Sequence, residues 1–241
     1  MHDQLLGSTQ PVLSISLESG ESIVAETGEF AWMTDSIQMT ASLAEPDPGS
    51  GELHRTLGSS SLSLSAYTAK DSPGTIAFAS RLPGSIMSIQ VAPEHEYLVH
   101  RRAFLAGTPG IEVSTGFQQS LGTGDDHPQE FILLRIGGRG RAWVELSGDV
   151  VRRDLAAGLS LRTHPWHIGM SDASVAVQMA ALQAAPGGAV NDAHLFAVLS
   201  GPGSVWLQSM PLLAAPQGRL TTSQAHYLPA AEGAAGLAAP R

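Results

Sequence analysis

The sequence predicts an all-β protein: three copies of one strand plan in a single chain, with few short helices. Three observations carry this. Glycine and proline are frequent (26 and 15 of 241 residues) and aromatics are few (5%), which suits short strands separated by turns. Runs such as SIVAE, LSLRT and SLSLSAY alternate apolar and small polar residues, the pattern of strands that bury one face. Finally, the same apolar columns return three times along the chain without gaps.

The first repeated unit is LESGESIVAETGEFAWMTDSIQM, Leu17 to Met39. Shifted by 74 residues it aligns with VAPEHEYLVHRRAFLAGTPGIEV, and by a further 64 with LAAGLSLRTHPWHIGMSDASVAV. Leu17, Val91 and Leu155 share a column; so do Ile23, Tyr97 and Leu161, and Phe30, Phe104 and Ile168. At the far end Ile37 aligns with Ile111 and Val175, and Met39 with Val113 and Val177. Side-chain identity is low while hydrophobic register is kept, as shared burial requires.

A second unit follows each copy: TAKDSPGTIAF, RIGGRGRAWVE and VLSGPGSVWLQ. Gly74, Gly140 and Gly203 form one column, and Ala77, Trp143 and Trp206 another. With an alternating strand before each, these read as strand, glycine turn, strand, which predicts β-hairpins. The connectors SGELHRTLG, STGFQQSLG and MAALQAAPGG are each expected to hold a short helix. The resulting division is an N-terminal extension (1–10), repeats at 11–84, 85–147 and 148–215, and a tail (216–241). The tail is rich in Ala, Gly and Pro, lacks a strand or helix period, and is expected to be flexible.

Composition narrows the function classes. Cysteine is absent, so disulfides, thiolate metal sites and cysteine nucleophiles are excluded. MHDQLLGSTQ has no basic region followed by an apolar core, and no apolar run reaches about 18 residues. A cytoplasmic protein is expected. The net charge of −9 disfavours nucleic acid as a partner. Nine Asp and Glu but no Lys or Arg fall between Met1 and Leu53, whereas eight of thirteen basic residues lie between Arg101 and Arg162. An acidic face meeting a basic one, within or between chains, follows as an expectation.

Chemical constellations do not survive comparison between copies. GGRGRA lacks phosphate-loop spacing, and its counterparts DSPGTI and SGPGSV mark it as a structural turn. His164 and His167 in HPWH would need a third zinc ligand, and Pro165 prevents a helical pairing. Asp125, Asp126 and His127 form a second polar cluster in an expected loop. Neither metal nor cofactor is expected. One column stays titratable throughout, as Glu26, His100 and His164, and a pseudo-threefold arrangement would let these side chains converge. The pairs Arg101–Arg102 and Arg152–Arg153 are candidates for an interface or for an anionic headgroup. Trp143 and Trp206 are equivalent to each other but not to Trp32 or Trp166, which suits core and interface packing better than a base-stacking row.

The stretches LESGESIVAETG, RRAFLAGTPGIEV and GPGSVWLQSMP resemble the altered-inheritance-of-mitochondria protein 24 family, over about residues 11–213. That resemblance implies subdomains like those of the tryptophan RNA-binding attenuation protein, small β-sandwich or short double-stranded β-helix units. It also implies a homo-oligomeric ring, a trimer, and supplies no catalytic residues. The expected role is a non-enzymatic scaffold or interaction module. The alternative is a protein that binds a small ligand, a protein partner or an anionic lipid surface through a ring cavity or the Arg-rich face. Gly28 departs from the repeat, since Arg102 and Trp166 occupy its column. If Gly28 has positive φ, the other copies must turn differently.

Overall fold

Alternation decides which side of each strand is buried. In VLSISL, Leu13, Ile15 and Leu17 are buried while Ser14 and Ser16 lie on the opposite face. The computed structural model describes residues 1–41, 64–121, 129–181 and 195–211. One strand, β1 (His2–Leu6), precedes three sets of six. The first set is β2 (Val12–Leu17), β3 (Ser22–Glu26), β4 (Trp32–Met33), β5 (Ile37–Ala41), β6 (Leu64–Ala69) and β7 (Gly74–Ala79). The second is β8 (Gly84–Val91), β9 (Tyr97–His100), β10 (Phe104–Gly107), β11 (Ile111–Leu121), β12 (Gln129–Gly138) and β13 (Gly140–Ser147). The third is β14 (Val150–Leu155), β15 (Ser160–Thr163), β16 (Ile168–Asp172), β17 (Ala176–Ala181), β18 (Leu195–Ser200) and β19 (Gly203–Gln208).

Within each set the sixth strand pairs with the first and third, and the fifth with the second and fourth, always antiparallel. Register repeats too: Leu17 lies opposite Gly74, Val91 opposite Gly140, and Leu155 opposite Gly203. Neighbouring sets are joined by one further pairing, between the second strand of one and the third strand of the next. These are β3 with β10 and β9 with β16.

The outcome is four sheets, ordered β1-β2-β7-β4, β5-β6-β3-β10-β13-β8, β11-β12-β9-β16-β19-β14 and β15-β18-β17. They stack in that sequence with a core between each successive pair. Leu13, Ile15, Ile23, Tyr67 and Phe78 fill the first core. Val99, Phe104, Leu134 and Val144 fill the second, and Phe131, Leu133, Ile168 and Leu199 the third. The two inner sheets are therefore buried on both faces. In β13, Ala142, Val144 and Leu146 enter the second core while Trp143 enters the first. Fully burying a side chain of this size is worth about 1.5–3 kcal/mol.

Several local expectations are corrected. The glycine turns do not make hairpins: β6 and β7, β12 and β13, and β18 and β19 lie in different sheets. Positive φ at Gly138 (85°) and Gly140 (152°) turns the chain from one sheet into the next instead of back along its neighbour. Two-sided burial of β13 requires a central strand with neighbours of its own, here β8 and β10. STGFQQSLG is not helical but lies mostly in β11, because the ladder with β12 extends from Ile111 to Leu121. The N-terminal extension, residues 1–10, contributes β1, which pairs with β2 along its whole length. Only Met179–Ala181 of MAALQAAPGG is described, as strand; SGELHRTLG, the rest of that connector and the tail from 216 lie outside the described residues. Gly28 does have positive φ (82°), and at its column the other copies form 3-10 turns, Arg101–Ala103 and Pro165–His167.

β1 also supplies a polar contact to the second set. Asp3 accepts from Arg141 Nη1 at 2.7 Å and from the indole N–H of the buried Trp143 at 3.2 Å. Replacing Asp3 with Ala leaves that indole donor without its acceptor, and is expected to cost about 1–3 kcal/mol in urea unfolding. Asp3→Asn keeps an acceptor and loses only a partly exposed ion pair, so its expected cost is about 0–1 kcal/mol. Equal losses for both variants would show that the indole bond is not what Asp3 contributes.

Candidate functional site

Of the residues singled out by the sequence, Glu26, His100, Arg101 and Arg102 lie near the first junction between sets, whereas His164, Arg152 and Arg153 do not. The backbone pairing is the same at both junctions. Ala25 faces Ala106 and Val24 faces Gly107 at the first; Val99 faces Met170 and Leu98 faces Ser171 at the second. These are identical columns in the 74- and 64-residue shifts, so the two joints share one register.

A side-chain clamp accompanies each joint. At the first, the Arg81 backbone N–H donates to Glu145 Oε2 at 3.0 Å. At the second, the Ser147 N–H donates to Gln208 Oε1 at 3.1 Å. Arg81 and Ser147 are equivalent positions, as are Glu145 and Gln208, each pair counted from the conserved-column glycines. Glu145 is 5% exposed and Gln208 2%. A buried acceptor from one set thus holds the chain leaving the previous one.

The first joint is ionic. The Arg81 guanidinium lies 2.8 Å from Glu29 Oε2, 3.3 Å from Glu145 Oε1 and 3.9 Å from Glu26 Oε2, and it donates to the Arg102 carbonyl at 2.6 Å. Burial raises the carboxyls of both Glu26 and Glu145. For Glu26 the neighbouring Glu29 adds to the rise, against the pull of Arg81, Arg101 and Arg102. Among the described residues one ion pair, Asp3–Arg141, links the acidic first part of the chain to its basic middle, while Glu29 pairs with Arg81 of the first repeat.

The titratable column is spread over three sheets. Glu26 ends β3, His100 ends β9, and His164 follows β15. His100 is 4% exposed, with the rings of Phe131 and Trp166 at 5.7 and 5.8 Å, and its Nδ1 accepts from the Arg102 N–H at 3.3 Å. Burial first, then Arg102 and Arg101, hold its pKa down to about 3. Arg101 and Arg102 thus act on both Glu26 and His100, which brings those two into one electrostatic neighbourhood. His164 is exposed at the far end; its pKa is lowered by partial burial and then by His167, whose ring is 6.0 Å away.

The arginine pairs differ. Arg152 is committed: it donates to Asp154 and to Ser204 Oγ, both at 3.0 Å, and stacks 5.3 Å from the Trp206 ring. Among the described residues Arg153 donates only to the Arg152 carbonyl, at 3.3 Å. Neither Arg101 nor Arg102 forms a salt bridge among the described residues. His167 Nδ1 lies 2.7 Å from the Gln208 carbonyl, and among the described residues no three His, Asp or Glu side chains are placed to hold a metal. Asp125, Asp126 and His127 lie outside the described residues. Arg81, Glu145 and Gln208 escaped the sequence reading. The signal for Glu145 and Gln208 was the residue two past each repeated Trp, a carbonyl-bearing side chain in both copies.

Two expectations test this chemistry. Glu145→Ala removes the acceptor of the part-buried Arg81 N–H together with a carboxylate beside the Arg81 guanidinium, and is expected to cost about 1–3 kcal/mol at pH 7. Glu145→Gln copies the second joint and should cost less than half as much. Because the Glu145 carboxyl is raised in the folded state, stability falls as pH climbs above its ordinary 4.5, and the Gln variant should flatten that slope in urea melts. His100 has the opposite sign. A histidine held near 3 contributes fully above 6.5 and loses that contribution as pH falls towards 3. Relative to His100→Gln, the unsubstituted chain should lose about 1.4 kcal/mol per pH unit between 6 and 5. Parallel pH profiles would show that His100 charges freely in the folded state.

Comparison with known proteins agrees with this architecture. The crystal structure of a Streptococcus pyogenes protein superimposes with a TM-score of 0.65, covering 88% of this chain and 94% of that one at 17% identity. A curated relative, an uncharacterised protein of Streptococcus pyogenes serotype M6, is 28% identical over 100 residues. That match spans 40% of this chain and 40% of the relative. Among the described residues no helix is long and apolar enough to cross a membrane. The model of the family described as mitochondrial biogenesis AIM24 matches residues 4–210, and the chain belongs to that family.

Proposed function

We propose that this protein is a non-enzymatic, self-associating β-repeat module whose copies join end to end to form a scaffold. One observation supports the reading most directly. The joint between sets uses a second strand and a third strand, and it is made twice inside the chain. One strand of each kind remains at a sheet edge, β4 at one end of the stack and β15 at the other. Among the described residues neither has a partner on that side. Open edges are pairing templates. A ring of copies, with a trimer as the size the family resemblance implies, satisfies both.

The anionic-surface reading is weaker. Arg101–Arg102 and Arg152–Arg153 sit on different elements, and Arg152 is already engaged by Asp154, Ser204 and Trp206. Light scattering on the eluting peak tests self-association. A mass of several times 25.1 kDa is expected at micromolar concentration, three times that value for a trimer. A strict 25.1 kDa species at both low and moderate salt would overturn the proposal.

A further inference from the structure

Resting on that reading, we infer that the partner of β15 is β4 of a second copy, antiparallel, with Thr163 opposite Trp32 and Arg162 opposite Met33. The register comes from the two joints already present. Ala25, Val99 and Thr163 occupy one column, and Ala106, Met170 and Trp32 the matching one. The first two members of each column face one another inside the chain, Ala25 with Ala106 and Val99 with Met170. The third members are the ones left over. Likewise Val24 faces Gly107 and Leu98 faces Ser171, which leaves Arg162 and Met33.

Three further observations converge on this pairing. Joining β15-β18-β17 to β4-β7-β2-β1 gives the strand kinds in the order fourth, fifth, second, third, sixth, first. That is the order of β5-β6-β3-β10-β13-β8 and of β11-β12-β9-β16-β19-β14. The added β1 lies on the far edge, against β2, and leaves the β4 edge open.

Second, the length fits. The internal joints rest on two and three residue pairs, so the two-residue β4 is not too short for the role.

Third, the side chains fit. Ala106 and Met170 are fully buried, because each projects from the joint into the core of the preceding set. Trp32, in their column, is 50% exposed. It stands in the first set, which has no preceding set in the chain. The third core of another copy, beside Leu161 and Thr163, is the equivalent place for it. An exposed Trp in a column otherwise reserved for buried residues is what an unmade joint of this kind leaves behind.

The chain has no cysteine, so introduced thiols report pairing cleanly. Residues directly opposite in an antiparallel pair have Cα atoms about 4.5–5.5 Å apart, within disulfide reach. Full-length double variants Trp32→Cys with Thr163→Cys, and Met33→Cys with Arg162→Cys, are oxidised mildly and run on non-reducing gels. The second keeps Trp32, in case its loss weakens the fold. Both are expected to shift most of the protein from the monomer band to covalent multimers. The off-register double variant Trp32→Cys with Arg162→Cys places its thiols on opposite faces of the sheet and is expected to stay monomeric on the gel.

Light scattering of each variant before oxidation separates the two levels of the argument. Oligomers that fail to cross-link in either register pair overturn the β15–β4 pairing and leave self-association standing. Equal cross-linking of the off-register pair also overturns it. A monomer in solution overturns both.

Discussion

Everything in this fold depends on one backbone joint, in which the second strand of a set adds to the third strand of the next. Without it each set would be two small three-stranded sheets facing one another over a single core. Three-stranded sheets in which many strands have only two to six residues are close to the lower limit for independent stability. The joint turns them into six-stranded sheets, and it does so obliquely: a sheet that ends one set begins the next. Each inner sheet therefore has two buried faces, and the three cores are mechanically continuous through β13, β12 and their neighbours. Stability of one set cannot be separated from that of the sets beside it.

The same constraint explains which parts of the architecture were legible. The apolar columns were, because a position that faces a core in one copy faces a core in all, and burial tolerates exchange among Leu, Ile, Val and Tyr. Leu17, Val91 and Leu155 can change identity yet keep the same partner glycine across the ladder. The turns were not. A strand, a glycine and a strand look alike whether the second strand folds back on the first or crosses to another sheet. Only two-sided burial distinguishes them, as Trp143 and Glu145 beside Ala142 and Val144 show in β13. β11 was hidden for another reason: STGFQQSLG carries weak local preference, and a full-length ladder with β12 overrides it.

Charge gathers at the first joint, where Arg81 stands among Glu29, Glu145 and Glu26. The column of Glu26, His100 and His164 keeps a titratable residue; its members end or follow strands in three successive layers, and their immediate contacts differ. Glu26 neighbours a guanidinium, His100 sits neutral among rings, and His164 is exposed. The more instructive column was the one holding Glu145 and Gln208. A buried acceptor is retained because an N–H of the preceding set must be satisfied there, and whether the acceptor is charged depends on what stands nearby. Arg81 stands at the first joint and Ser147 at the second, so carboxylate and amide each match their surroundings.

That clamp also limits how a joint between copies can behave. The residue of the first set equivalent to Glu145 and Gln208 is Ala79, which has no side-chain acceptor and is exposed. The donor that would reach it from the preceding copy is the Met210 N–H, and Met210 already bonds the Ser147 carbonyl at 3.3 Å. No buried donor is orphaned at the free end. A joint made by β15 and β4 would keep the strand register and bury Trp32, yet it would lack the hydrogen bond to a buried side-chain acceptor that each internal joint has. Strand pairing and one aromatic side chain must then hold it, and association must offset rotational and translational entropy that the covalent chain spares the internal joints. Because column 79 carries no acceptor, a joint between copies would be the weaker of the two kinds and would come apart more readily than the joints inside the chain.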